Sequence, residues 1–129
     1  LNIPVLDGPN GAASALKMYY AGISKGITAL GAAMMLAATR AGAAAALRHE
    51  LAQSQAEVLG GLQRTMPSMY SKAYRFAGEM EEIAAFIGEE FPESGIYCGM
   101  AGLYERIAAD LDGDKREIGA LDALLSGKG

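Results

Sequence analysis

The chain has 129 residues, is 51% hydrophobic with 17 glycines, seven methionines and no tryptophan, and carries a formal net charge of −4. That profile fits one alanine-rich, soluble globular domain and excludes disorder, while the 11 scattered Lys and Arg residues offer no basic run for nucleic acid. A single cysteine, Cys98, excludes an internal disulfide, and a single histidine, His49, excludes a zinc-type ligand set, so a reducing cytoplasm and no metal are expected.

Residues 1–11 begin with Leu-Asn-Ile-Pro-Val-Leu, which reads as a short strand or extended segment, followed by the turn residues Asp7, Gly8, Pro9, Asn10 and Gly11. Nothing later in the chain reads as a strand to pair with it. Residues 1–11 are therefore expected to be a linker or strand left from a preceding domain, and residues 12–129 an all-α domain.

From Ala12 nothing stops a helix until about Gly42, which predicts a helix of very roughly 28 residues, ~40 Å long. On a helical wheel Lys17, Tyr20, Ser24 and Thr28 fall within about 80° of one another, and Lys25 borders them from one side. One narrow polar stripe with two positive charges thus runs along an otherwise apolar rod. Lys17 admits two readings: a lysine that snorkels from a helix end, or a cation that meets an anionic ligand among hydroxyl donors. For Lys25 and Thr28 the ordinary structural reading leads. The longest apolar stretch, residues 27–39, is about 13 residues against the ~20 that span a bilayer, so a core helix and no membrane partner are expected.

A second helix is expected over residues 43–59, with Leu47, Leu51, Val58 and Leu59 as core positions and Gly60-Gly61 ending or bending it. A third follows Pro67, with Ser68 as a possible N-cap. It places Met69, Ala73, Phe76, Met80, Ile83, Ile87 and Phe91 on one face, its glutamates on the solvated face, and Pro92 at its end. A fourth sets Ile96, Met100, Leu103, Ile107 and Leu111 in register, the turn Asp112-Gly113-Asp114 follows, and a last short helix carries Ile118, Leu121, Leu124 and Leu125. The expected fold is an all-α, single-domain bundle of about five helices with one long N-terminal helix, preceded by a short extended segment.

Common catalytic constellations are absent. No Ser-His-Asp set forms around His49, and no P-loop or Gly-x-Gly-x-x-Gly follows a strand. The glycine-rich turn ending at Gly11 is placed to aim backbone N–H groups at an anion near Lys17, as helix N-termini do.

The segment Gly11-Ala12-Ala13-Ser14-Ala15-Leu16-Lys17-Met18 resembles the start of the C-terminal helical domain of the β-hydroxyacid dehydrogenases, the group that includes 6-phosphogluconate and 3-hydroxyisobutyrate dehydrogenases. Ser-Ala-Leu-Lys-Met-x-Tyr, then Lys25-Gly26 and Gly78-Glu79-Met80-Glu81-Glu82-Ile83-Ala84, is similar to the less characterised phosphogluconate-dehydrogenase-like branch. The resemblance implies a two-domain oxidoreductase. Its N-terminal Rossmann domain would bind NAD or NADP, while this helical domain closes over a small anionic, hydroxy-acid-like substrate and builds a homodimer. The residue matching the family's catalytic lysine is Lys17, implied to exchange a proton with the substrate oxygen, which suits a desolvated lysine. Tyr20, Ser24, Lys25 and Gly11 are the implied substrate contacts. Two positions depart from the family: Ala21 stands where its substrate-holding asparagine belongs, and the Glu79–Glu82 region replaces a Lys-Asp pair near the cofactor. A non-catalytic helical oligomerisation module is the alternative reading.

Overall fold

Alanine, leucine and methionine dominate the stretch after Gly11, and they are among the strongest helix formers. The computed structural model, which describes residues 12–127 (the backbone alone for residues 12–14), shows the consequence as α1, Ala12–Arg40, a helix of 29 residues. Gly11 and the expected extended segment lie outside the described residues. Five more helices follow: α2 (Ala44–Ser54), α3 (Ala56–Met69), α4 (Ala73–Ile87), α5 (Ser94–Asp112) and α6 (Arg116–Ser126), with a 3-10 turn at Tyr70–Lys72. The domain is all-α, with no strand among the described residues.

Helix α1 is the axis of the domain and touches each of the other five. It contributes Ala29, Ala32, Met35 and Leu36 to one core that also takes Leu62, Met66 and Met69 from α3, Phe76, Met80 and Ile83 from α4, Tyr104 and Ile107 from α5, and all four expected apolar residues of α6. Close approach needs small residues: a β-carbon added at Gly31 would stand 2.8 Å from the Leu62 side chain, a separation that real contacts do not reach. Two tyrosines then fasten α5 to α1. The Tyr97 hydroxyl donates to the Gly22 carbonyl at 3.1 Å, and the buried Tyr104 hydroxyl donates to the Lys25 carbonyl.

The single helix expected over residues 43–59 is broken. Gln55 leaves the helical region (φ −138°, ψ 47°), which turns α2 onto α1 and α6 as well as α3. Leu47 and Leu51 are only partly buried, Val58 is exposed, and α2 buries no residue at all. Gly60 and Gly61 do not end a helix, because Leu59, Leu62, Met66 and Met69 form a continuous buried face that outweighs glycine's penalty of about 1 kcal/mol each. Pro67 lies inside α3, where the helix tightens within three residues into the 3-10 turn, and the Ser68 hydroxyl donates to the Thr65 carbonyl at 3.0 Å instead of capping α4. Helix α4 stops at Gly88, before Pro92, and Phe91 is exposed.

By length and composition Ala15–Arg40 is apolar enough to cross a membrane (26 residues, mean hydropathy 1.4). The uninterrupted apolar run between Lys25 and Arg40 is shorter, about 13 residues, because Lys25 interrupts it without lowering the mean hydropathy of the longer window far. In this fold 44% of that window is buried by the other helices.

Candidate functional site

Lys17 lies near the start of α1, where α4 passes alongside. The two helices enclose a shallow cleft of about 320 Å³ lined by Lys17, Met18, Ala21, Lys25, Glu79, Glu82 and Ile83. Lys17 and Lys25, eight residues apart, reach it from the same helix. Lys17 is exposed and has no ion-pair or hydrogen-bond partner among the described residues.

Lys25 is held at both ends. Its ammonium pairs with Glu79 and sits 4.4 Å from the centre of the Phe76 ring, a cation–π arrangement. Phe76 meets Tyr104 edge to face, with centroids 5.5 Å apart, and Tyr104 bonds the Lys25 carbonyl. Burial makes the Tyr104 hydroxyl much less acidic than an ordinary tyrosine, and the neighbouring Glu79 charge adds to the shift. This cluster positions α1 on the α4–α5 pair and neutralises Lys25. An anion entering the cleft therefore meets Lys17 as its free cation, has Glu82 on the opposite wall, and competes with Glu79 for Lys25.

The other expected residues are placed elsewhere. Ser24 lines a second groove of about 370 Å³ between α1 and α3, with Ile27, Val58 and Thr65. There the buried Thr28 hydroxyl donates to Thr65 at 3.1 Å, so the lower part of the polar stripe joins two helices. Tyr20 is half exposed, beside Tyr19, whose ring meets Phe86 edge to face. Glu79 and Glu82 are the cleft residues that pattern reasoning missed. Both lie on what reads as a solvated acidic face, and the pairing of Lys25 with Glu79 spans 54 residues with no local signal. Ala21 lies on the cleft wall between Lys17 and Lys25.

Residues 38–107, just over half the chain, match the family described as Domain of unknown function (DUF1932). The chain belongs to this family. It is the C-terminal helical domain of 6-phosphogluconate-dehydrogenase-like, NAD-binding proteins, which agrees with the resemblance carried by the first helix. The match begins at Ala38, beyond Lys17 and Lys25, so it speaks for the helical domain and for the α4 wall of the cleft. No curated protein and no solved structure matches the chain.

Proposed function

We propose that this chain is the substrate-binding and dimerisation half of an NAD(P)-dependent oxidoreductase of the phosphogluconate-dehydrogenase-like branch, acting in the cytoplasm on a small, anionic, hydroxy-acid-like substrate. Family membership supports the general kind. The observation that carries the site is an exposed Lys17, without a partner among the described residues, on the wall of a cleft beside Ala21, in a sequence context that resembles that of the family's lysine.

The residues divide the work. Lys17 binds the substrate oxygen and holds or releases the proton there, while the bound nicotinamide would supply hydride transfer. Lys25, already paired, positions the cleft wall. Lys17 lacks burial within this domain, so the desolvation that proton transfer favours comes from a preceding domain closing over the cleft. NAD or NADP is read as bound mainly by that preceding domain, a reading supported by the family's association with NAD-binding proteins.

Association is carried by a different surface. Tyr19, Tyr20, Ile23, Ile27, Leu30 and Met34 form an apolar ridge on the outer face of α1, each at least half exposed, and Val58 and Ile96 flank it. Together these side chains offer on the order of 800 Å², the contribution of one partner to a standard interface. The same ridge favours the runner-up, a non-catalytic association module.

Lys17→Ala in the protein that carries this domain separates the two. The expected result is a fall in turnover of about 10²–10⁴-fold with the dimer intact. Unchanged turnover removes Lys17 from the chemistry and leaves the association module.

A further inference from the structure

A cavity of about 480 Å³ lies between α2 and α6, at the opposite end of α1 from Lys17, and its size suits a small molecule. Its walls are alanines of α2 and α6 together with Leu124, its polar groups are Thr39, Arg48 and His49, and no carboxylate lines it. Thr39 is already committed, since its hydroxyl donates to the Met35 carbonyl at 2.8 Å. Arg48 is not. Its guanidinium lies flat against Gly127: a β-carbon on that residue would stand 3.1 Å from Cζ, 3.2 Å from Nε and 3.3 Å from Nη1. Gly127 has φ +77°, a left-handed conformation that favours glycine. The guanidinium thus packs against Gly127, yet its buried Nε has no hydrogen-bond partner among the described residues, and no described residue forms an ion pair with it. Arg106 shows the contrast, since it meets Glu117 through two nitrogens at 2.6 and 3.3 Å. Helix α2, which carries Arg48, is also the one α-helix from α2 onward with no buried residue, so one wall of the cavity is under-packed.

We propose that this cavity binds a carboxylate carried on a short apolar body. The carboxylate pairs with the Arg48 guanidinium, a planar fork that matches two oxygens, with His49 at the rim, and the apolar part lies against Leu124 and the alanine walls. One unpaired cation suits a monoanion. Thr39 and Lys17 are 22 residues apart on α1, roughly 33 Å at 1.5 Å per residue, so the ligand is not a reactant at the Lys17 cleft.

Nuclear magnetic resonance titration of the full chain tests the assignment, with sodium hexanoate as probe and hexanol and inorganic phosphate as controls. The expected result is saturable shifts of the Arg48 Nε–Hε and Leu124 methyl signals with hexanoate, and binding at least tenfold weaker for hexanol and for phosphate. Arg48→Gln should weaken hexanoate at least tenfold with helical content unchanged. Ala52→Phe, which fills the cavity and leaves Arg48 in place, should abolish binding, and it decides the matter if Arg48→Gln does not fold. No saturable shift, equal binding of hexanol, equal or tighter binding of phosphate, or indifference to both substitutions overturns the proposal.

Discussion

The two faces of α1 are both apolar, and they differ in size. Toward the core stand Gly22, Gly26, Ala29, Gly31 and Ala32, all buried; toward solvent stand Ile23, Ile27, Leu30 and Met34, exposed by 65%, 54%, 60% and 57%. Between Gly22 and Ala32 that inverts the usual order, in which the large aliphatic side chains are inside, and only further along do Met35 and Leu36 bring large side chains into the core. A helix surrounded by five others needs small residues where those others approach, and its large residues are left exposed on the outer face. Hydropathy adds the two faces together. Residue size separates them.

Substitutions on the inner face should act on stability and those on the outer face on association. The largest effect is expected for Gly31→Leu, which forces a side chain into the 2.8 Å approach of Leu62 and should lower unfolding free energy by about 1–3 kcal/mol in a denaturant titration. Next comes alkaline pH. Burial, then the 2.8 Å hydrogen bond to Asp122 and its charge, raise Tyr70 far above its ordinary value of 10.0, and burial with Glu79 does the same for Tyr104. The folded protein keeps these protons where the unfolded chain loses them. Stability should therefore be insensitive to these groups below pH 10 and fall above it, by up to about 1.4 kcal/mol per pH unit for each tyrosine. Tyr70→Phe and Tyr104→Phe should each flatten that slope, and an unchanged slope in the double variant would show that other groups set it.

Lys25→Met removes the pair with Glu79 and the contact with Phe76, both partly exposed to water. Its expected cost is no more than about 1 kcal/mol. The smallest change in monomer stability, within about 0.5 kcal/mol, is expected for Ile27→Glu with Leu30→Glu on the outer face, while sedimentation should show dimer converted to monomer. If that pair lowers stability as much as Gly31→Leu, the contrast between the faces collapses.

Much of the fold was legible from local pattern. Helix α1 ends within about two residues of the expected stop at Gly42, and the Ile118, Leu121, Leu124 and Leu125 register of α6 is buried as its spacing implies. The misreadings came from treating glycine and proline as punctuation. Gly60, Gly61 and Pro67 all sit within α3, because a buried face of leucines and methionines outweighs their local cost, whereas the actual break falls at Gln55, which carries no such signal. The site was legible only along one helix. A wheel groups Lys17, Ser24 and Lys25, but α3 and α4 cover opposite borders of that stripe and place Ser24 in one groove and the two lysines in another. Glu79 and Arg48 owe their environments to contacts across 54 and 79 residues, beyond any reading of spacing.

The Tyr97 and Tyr104 hydroxyls grip α1 at Gly22 and Lys25, one turn apart. Two such bonds, each worth about 1 kcal/mol, resist both sliding and rotation of α1 against α5. Below Gly22 the helix therefore behaves as a lever clamped to the bundle, and a pull on its first turns is passed to α5 as a rigid displacement.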